Sequence, residues 1–152
     1  VKLVFAIPPE ETRPARGLLD LGSILQTLCP DHKRLRFLRD PSGEARHAMM
    51  GLMTGYSSTA VFSPEQIRQS SALSEPSEEN YAALWQEALN PDYDVVVVVA
   101  CVHYTCGFFR FLVTNVFGES RPVPADLVTT NRLLVLDETE RTFSFIEEAK
   151  PA

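Results

Sequence analysis

Hydrophobic positions along the chain follow two periods. Leu18, Leu21, Ile24, Leu25 and Leu28 fall on one side of a 3.6-residue repeat and Pro30 closes the segment, so the spacing predicts a helix over 15–29. Ala45, Ala48, Met49, Leu52, Met53 and Tyr56 form a second helical stripe that ends near Gly55. A third joins Tyr81, Leu84, Trp85, Ala88 and Leu89. Ser77 is its expected cap, Glu78 and Glu79 complement its N-terminal dipole, and Asn90-Pro91-Asp92 ends it. Ser63-Pro64-Glu65-Gln66 combines a cap, a first-turn proline and a capping-box glutamine, which predicts a short helix. Val1 to Ile7 reads as a short extended segment stopped by Pro8-Pro9, and Ser57 to Ser63 as a short strand. Lys33 to Arg39 fits either a short strand or an irregular loop before the turn Asp40-Pro41-Ser42-Gly43.

From Tyr93 onward the pattern predicts strands: Tyr93 to Thr105, Phe108 to Glu119, Leu127 to Leu136 and Thr142 to Glu148. The valine run Val95 to Val99 is unusual among them. A half-solvated strand alternates apolar and polar positions. Here Val95, Val97, Val99 and Cys101 would line one face while Val96, Val98, Ala100 and Val102 line the other. Phe109, Phe111, Val113 and Phe117 repeat the pattern opposite Phe108, Leu112 and Val116. Both faces of such a sheet need covering. With helices first and an antiparallel meander after them, the expected class is α+β, with helices for one face and a partner or ligand for the other.

At 152 residues the chain is expected to form a single domain spanning 1–152, and its start at Val1 within a strand-like segment suggests a domain excised from a larger protein. Fourteen basic and twenty acidic residues give a formal charge of -6, which disfavours binding to nucleic acid through the phosphate backbone. Only His32 to Arg39 is locally basic, and it reads as a solvated loop or edge-strand face. Cys29, Cys101 and Cys106 are odd in number and lack zinc-site spacing, so no metal is expected and a reducing compartment fits. Arg110 interrupts the longest apolar stretch, which falls short of the roughly 18 residues of a membrane span. There is no glycine-rich phosphate loop, and no cofactor is expected.

Several local sequences add a resemblance. Gly51-Leu52-Met53-Thr54-Gly55-Tyr56 running into Ala60-Val61-Phe62-Ser63, Ala83 to Pro91 running into Asp94, Gly107-Phe108-Phe109 through Asn115-Val116-Phe117-Gly118-Glu119, and Pro8-Pro9 are the segments concerned. Together with the element order they resemble the nuclear-transport-factor-2-like domain of the TAP-type nuclear mRNA-export receptors. The chain departs from that family at Thr130 to Leu134 and at Phe145 to Glu148. The resemblance implies a cone-like curved antiparallel sheet wrapped around N-terminal helices, in a non-enzymatic module. It further implies a hetero- or homodimer with a second protein of the same fold, binding of Phe-Gly nucleoporins, and residence in nucleus and cytoplasm at the nuclear pore. The expected partner-binding sheet face comprises Val97, Val99, Cys101, His103, Phe109, Phe111, Val113 and Asn115.

A second reading places a small isomerase or dehydratase in the cone cavity. Its candidate groups are His103, Tyr104, Tyr56, Asp20, and Asp92 and Asp94 flanking Tyr93, because a buried carboxylate beside Tyr or His can transfer protons. No convergent pair stands out. His47 lies off the apolar stripe of its helix, and Cys101 with Cys106 would make a redox pair only with help from His103.

Overall fold

In a computed structural model, residues 2–6, 16–57, 59–116, 118, 132–137, 139 and 142–147 are described. Strand β1 (Lys2–Ala6) leads to α1 (Arg16–Leu28), then β2 (Leu35–Arg39), α2 (Gly43–Tyr56), β3 (Ile67–Gln69), α3 (Glu78–Ala88), β4 (Val95–Val99) and α4 (Val102–Phe111). A π-helical turn, Leu112–Val116, continues α4, and β5 (Arg132–Asp137) and β6 (Thr142–Glu147) follow. The strands form one sheet in the order β3-β2-β4-β1-β5-β6. The centre is parallel: Val97 of β4 is in register with Val4 of β1 on one side and Phe37 of β2 on the other. The β5 and β6 strands run antiparallel at one end.

This topology answers the question posed by the valine run. Parallel strands need crossover connections, and helices in those crossovers cover the faces of the sheet. Val95, Val97 and Val99 pack with Leu21 and Leu25 of α1 and Ala48, Met49 and Leu52 of α2. Val96 and Val98 pack on the opposite face with Tyr81 and Leu84 of α3 and Tyr104 and Phe108 of α4. All five valines are buried, each contributing about 1.5–3 kcal/mol of gross apolar burial. The chain covers both faces itself. The expected cone with an open outer face is therefore corrected to an α/β arrangement with helices on both sides of a mixed sheet.

The largest local correction concerns the strand expected from Phe108 to Glu119, of which Phe117 and Glu119 lie outside the described residues. Tyr104, Phe108 and Leu112, and beside them Thr105, Phe109 and Val113, are buried at a spacing of four, which is a helical stripe. The strand expected from Tyr93 to Thr105 is likewise only Val95–Val99. Ser57 and 59–63 form no strand, and Ser63-Pro64 opens a turn rather than a helix. Gln66 does make the capping-box contact, accepting from Ser63 N at 3.0 Å. Its Nε2, however, donates to the carbonyls of His32 and Leu35 at 2.6 and 2.8 Å and so ties β3 to β2. The Lys33–Arg39 segment is a 3-10 turn, His32–Arg34, followed by a strand inside the sheet and not at its edge. Residues 127–131 of the third expected strand lie outside the described residues.

The three helices expected from periodicity are present. Ser42 and Ser77 cap α2 and α3, their Oγ atoms accepting from Ala45 N and Asn80 N at 3.1 Å each.

Candidate active site at the carboxyl edge of the sheet

Because β1, β2 and β4 run the same way, their carboxyl ends meet along one edge. Asp40 N, just past β2, donates to Val99 O at 3.1 Å, and Ala100 N donates to Ala6 O at 3.3 Å. From here the chain leaves β4 for α4 on one face, whereas β1 and β2 lead to α1 and α2 on the other. Adjacent strands that exit to opposite faces open a crevice between them, which is where open α/β sheets bind ligands.

Five polar or reactive residues lie on the segments that flank that crevice. Cys101 is the N-cap residue of α4, exposed, and its side chain makes no capping bond. His103, in the first turn of α4, is exposed as well. The first N–H groups of a helix point outward without intrahelical partners and favour an anion. Asp40 is buried and its Oδ1 accepts from Ser42 N at 2.8 Å, fixing the β2–α2 turn. Ser42 uses its hydroxyl as the α2 cap. Arg39 closes the outer side, with Nη1 donating to Asp40 O at 3.0 Å and Nη2 to Gln69 Oε1 at 3.4 Å.

The eight residues expected to share one sheet face do not do so. Val97 and Val99 lie beneath α1 and α2, Phe109 and Val113 are buried, Phe111 is half-buried, and Cys101, His103 and Asn115 are exposed. Only the two valines belong to a strand.

The candidate groups of the alternative enzyme reading also separate. Tyr56 is buried and donates to Cys29 O at 2.5 Å, and Tyr104 is buried and donates to Ala72 O at 2.6 Å. Burial holds both phenols above their ordinary range, so they act as neutral donors in the core. Asp94 pairs with Arg34 at 2.8 Å, and that hydrogen bond holds its carboxyl below the usual carboxylate range. Asp20 and His47 are exposed on α1 and α2, and Asp92 is exposed before β4, at the opposite end of that strand from the crevice. Cys29, which was no candidate of that reading, is buried and its thiol is pushed up to about 11, chiefly by desolvation. Among the described residues no group of three His, Cys, Asp or Glu side chains could hold a metal, and no helix is long and apolar enough to cross a membrane.

Sequence reasoning named Cys101 and His103 but missed Asp40 and Ser42 as their neighbours. A usable signal was present: Leu35 to Arg39, the turn Asp40 to Ser42 and the helix after it follow as strand, turn and helix, the unit that in a βαβ order places strand ends side by side.

The arrangement is that of the α/β proteins with a parallel-centred sheet covered on both faces. Within that class the chain is similar to the crystal structure of phosphoglycerate mutase from Plasmodium falciparum, with a TM-score of 0.61 at 11% sequence identity. The match covers 99% of this chain and 93% of that one. No protein-family model matches the sequence, and neither does any curated protein. The structural likeness fixes the fold and overturns the resemblance to nuclear-transport-factor-2-like domains. The reading as a non-enzymatic mRNA-export module that heterodimerises through its sheet and binds nucleoporins rested on that resemblance and falls with it. So does the cone cavity in which an isomerase or dehydratase was placed.

Proposed function

We propose that this chain is an enzyme acting on small phosphorylated compounds, with its site in the crevice between the carboxyl ends of β1, β2 and β4. The observation that carries the reading is the position of Cys101 and His103 at the open N-terminus of α4, where adjacent strands exit to opposite faces. The likeness to an enzyme of phosphoglycerate supports the same substrate class. In this reading the outward N–H groups of α4 hold phosphate oxygens. Cys101 or His103 attacks phosphorus, the phosphorus–oxygen ester bond breaks, and the departing alkoxide is protonated to the alcohol. Water or a second hydroxyl then takes the phosphoryl group and frees the nucleophile.

The test is release of inorganic phosphate from p-nitrophenyl phosphate and 3-phosphoglycerate, together with phosphoryl migration in the latter. Replacing the attacking group should lower the rate by about a hundredfold or more, so Cys101→Ala and His103→Ala identify it. Activity equal to wild type in both variants, or no turnover by the wild-type chain, would defeat the reading.

A further inference from the structure

A cleft of about 620 Å³ lies between the edge strand β3, its neighbour β2 and the last turn of α3, and none of Asp40, Ser42, Cys101 and His103 lines it. Arg36, Arg68, Ser71, Gln86 and Glu87 are among the residues that line it. Arg36 is 6% exposed and sits in β2 on the face that carries Val96. Its Nε donates to Glu65 O at 3.1 Å, and its guanidinium lies 5.3 Å from the centroid of the Tyr93 ring. Those contacts fix the group but leave its two Nη atoms, with four N–H donors, without an acceptor among the described residues. A buried guanidinium with unmade hydrogen bonds is costly, and a forked pair of donors matches a carboxylate or phosphate.

Charge in the cleft favours the same ligand. Glu87 is already engaged, accepting from Ser70 Oγ at 2.7 Å and lying 4.0 Å from Arg68. One carboxylate stands against two guanidinium groups, which leaves the lining positive by one. The volume exceeds what a bare ion needs and falls in the range of sites for small organic molecules.

We propose that this cleft is a second binding site, for a small phosphorylated or carboxylated molecule whose anionic group is held by Arg36. The proposal is independent of the activity assigned to the carboxyl edge. It is tested by calorimetry on the purified chain with inorganic phosphate, glycerol 3-phosphate and malonate at matched ionic strength. Saturable binding of at least one probe is expected, and which probe binds identifies the anion as phosphate or carboxylate. Arg36→Gln should weaken that binding about tenfold or more.

Because Arg36 is buried, Gln86→Glu serves as the second variant: it places a new negative charge at an exposed position of the lining and should weaken binding several-fold. His103→Ala should leave it unchanged, which separates this site from the one at the carboxyl edge. Absence of saturable binding by all three probes overturns the proposal. So does binding that survives in folded Arg36→Gln and in Gln86→Glu, or that is lost only in His103→Ala.

Discussion

Gly22 of α1 and Gly55 of α2 lie so close that a Cβ on Gly22 would sit 3.0 Å from the Gly55 carbonyl carbon and would strike the Leu52 oxygen. A Cβ on Gly55 would strike the Leu19 backbone. The obstacles are main-chain atoms of packed helices, which cannot swing aside as a side-chain tip can. Ser23 Oγ reinforces the crossing by donating to Gly55 O at 3.0 Å. Alanine in place of glycine within a helix ordinarily gains about 1 kcal/mol. Here overpacking should reverse the sign, and Gly55→Ala is expected to lose about 1–3 kcal/mol. A urea denaturation midpoint equal to or above wild type would contradict the crossing as described.

Val97→Asp places a carboxylate at a fully buried position under α1 and α2. An unpartnered charge there costs several kcal/mol, of the order of total domain stability. The variant should lose its cooperative thermal transition, not merely a binding partner. Val61→Asp, at a position 82% exposed, is the matched control and should melt like wild type.

Alkaline conditions should weaken the fold through Cys29. Its thiol is pushed up from 9.0 to about 11 in the folded chain, so the folded state keeps a proton that the unfolded state gives up. That stabilisation is complete below pH 9 and fades as pH rises through about 11. Stability measured by urea should therefore fall across this window, and Cys29→Ala should flatten part of the decline. In the native state at pH 8, a thiol reagent should label exposed Cys101 rapidly and Cys29 only on unfolding.

Acid acts through Asp94 with the opposite sign. The hydrogen bond from Arg34 depresses its carboxyl below 3.8, so the pair contributes above that value and its contribution is lost as pH falls through the folded value. Both side chains are substantially exposed, 40% for Arg34 and 64% for Asp94, so water screens the pair. Asp94→Asn should shift the midpoint only slightly at neutral pH, and the difference from wild type should vanish under strongly acidic conditions. A large neutral-pH loss would show that Asp94 does more than pair with Arg34.

Helices α1, α2 and α3 were legible because each has an apolar stripe that matches one period, and α2 and α3 also carry a serine cap that does what capping serines do. Phe108 to Phe117 was not legible by alternation, since a nearly continuous apolar run satisfies a period of two as readily as one of 3.6. The spacing of four from Tyr104 through Phe108 to Leu112 carried the distinction. That both faces of the valine run need covering was legible, but the expectation that one face stays open for a partner was not met. What covers them was not legible, because α1 and α2 lie on one face and α3 and α4 on the other through crossovers that no local pattern announces. Asp40 and Cys101 illustrate the limit for the site. They border one crevice only because β2 and β4 pair, and pairing is a long-range event.

That same pairing governs the order in which the molecule can be assembled. Strand β4 is the middle seam between β1 and β2, yet Val97 lies more than half the chain beyond its register partner Val4. During synthesis β2 can pair only with the three-residue β3 and β1 has no neighbour to bond, so the sheet cannot close until the valines arrive. A fold built from such distant partners gains little from early local contacts and is slow to form. Until it closes, five consecutive valines with high strand preference and no charge are open to pairing between molecules. The segment that holds the finished sheet together is thus also the one at which its formation is most exposed to failure.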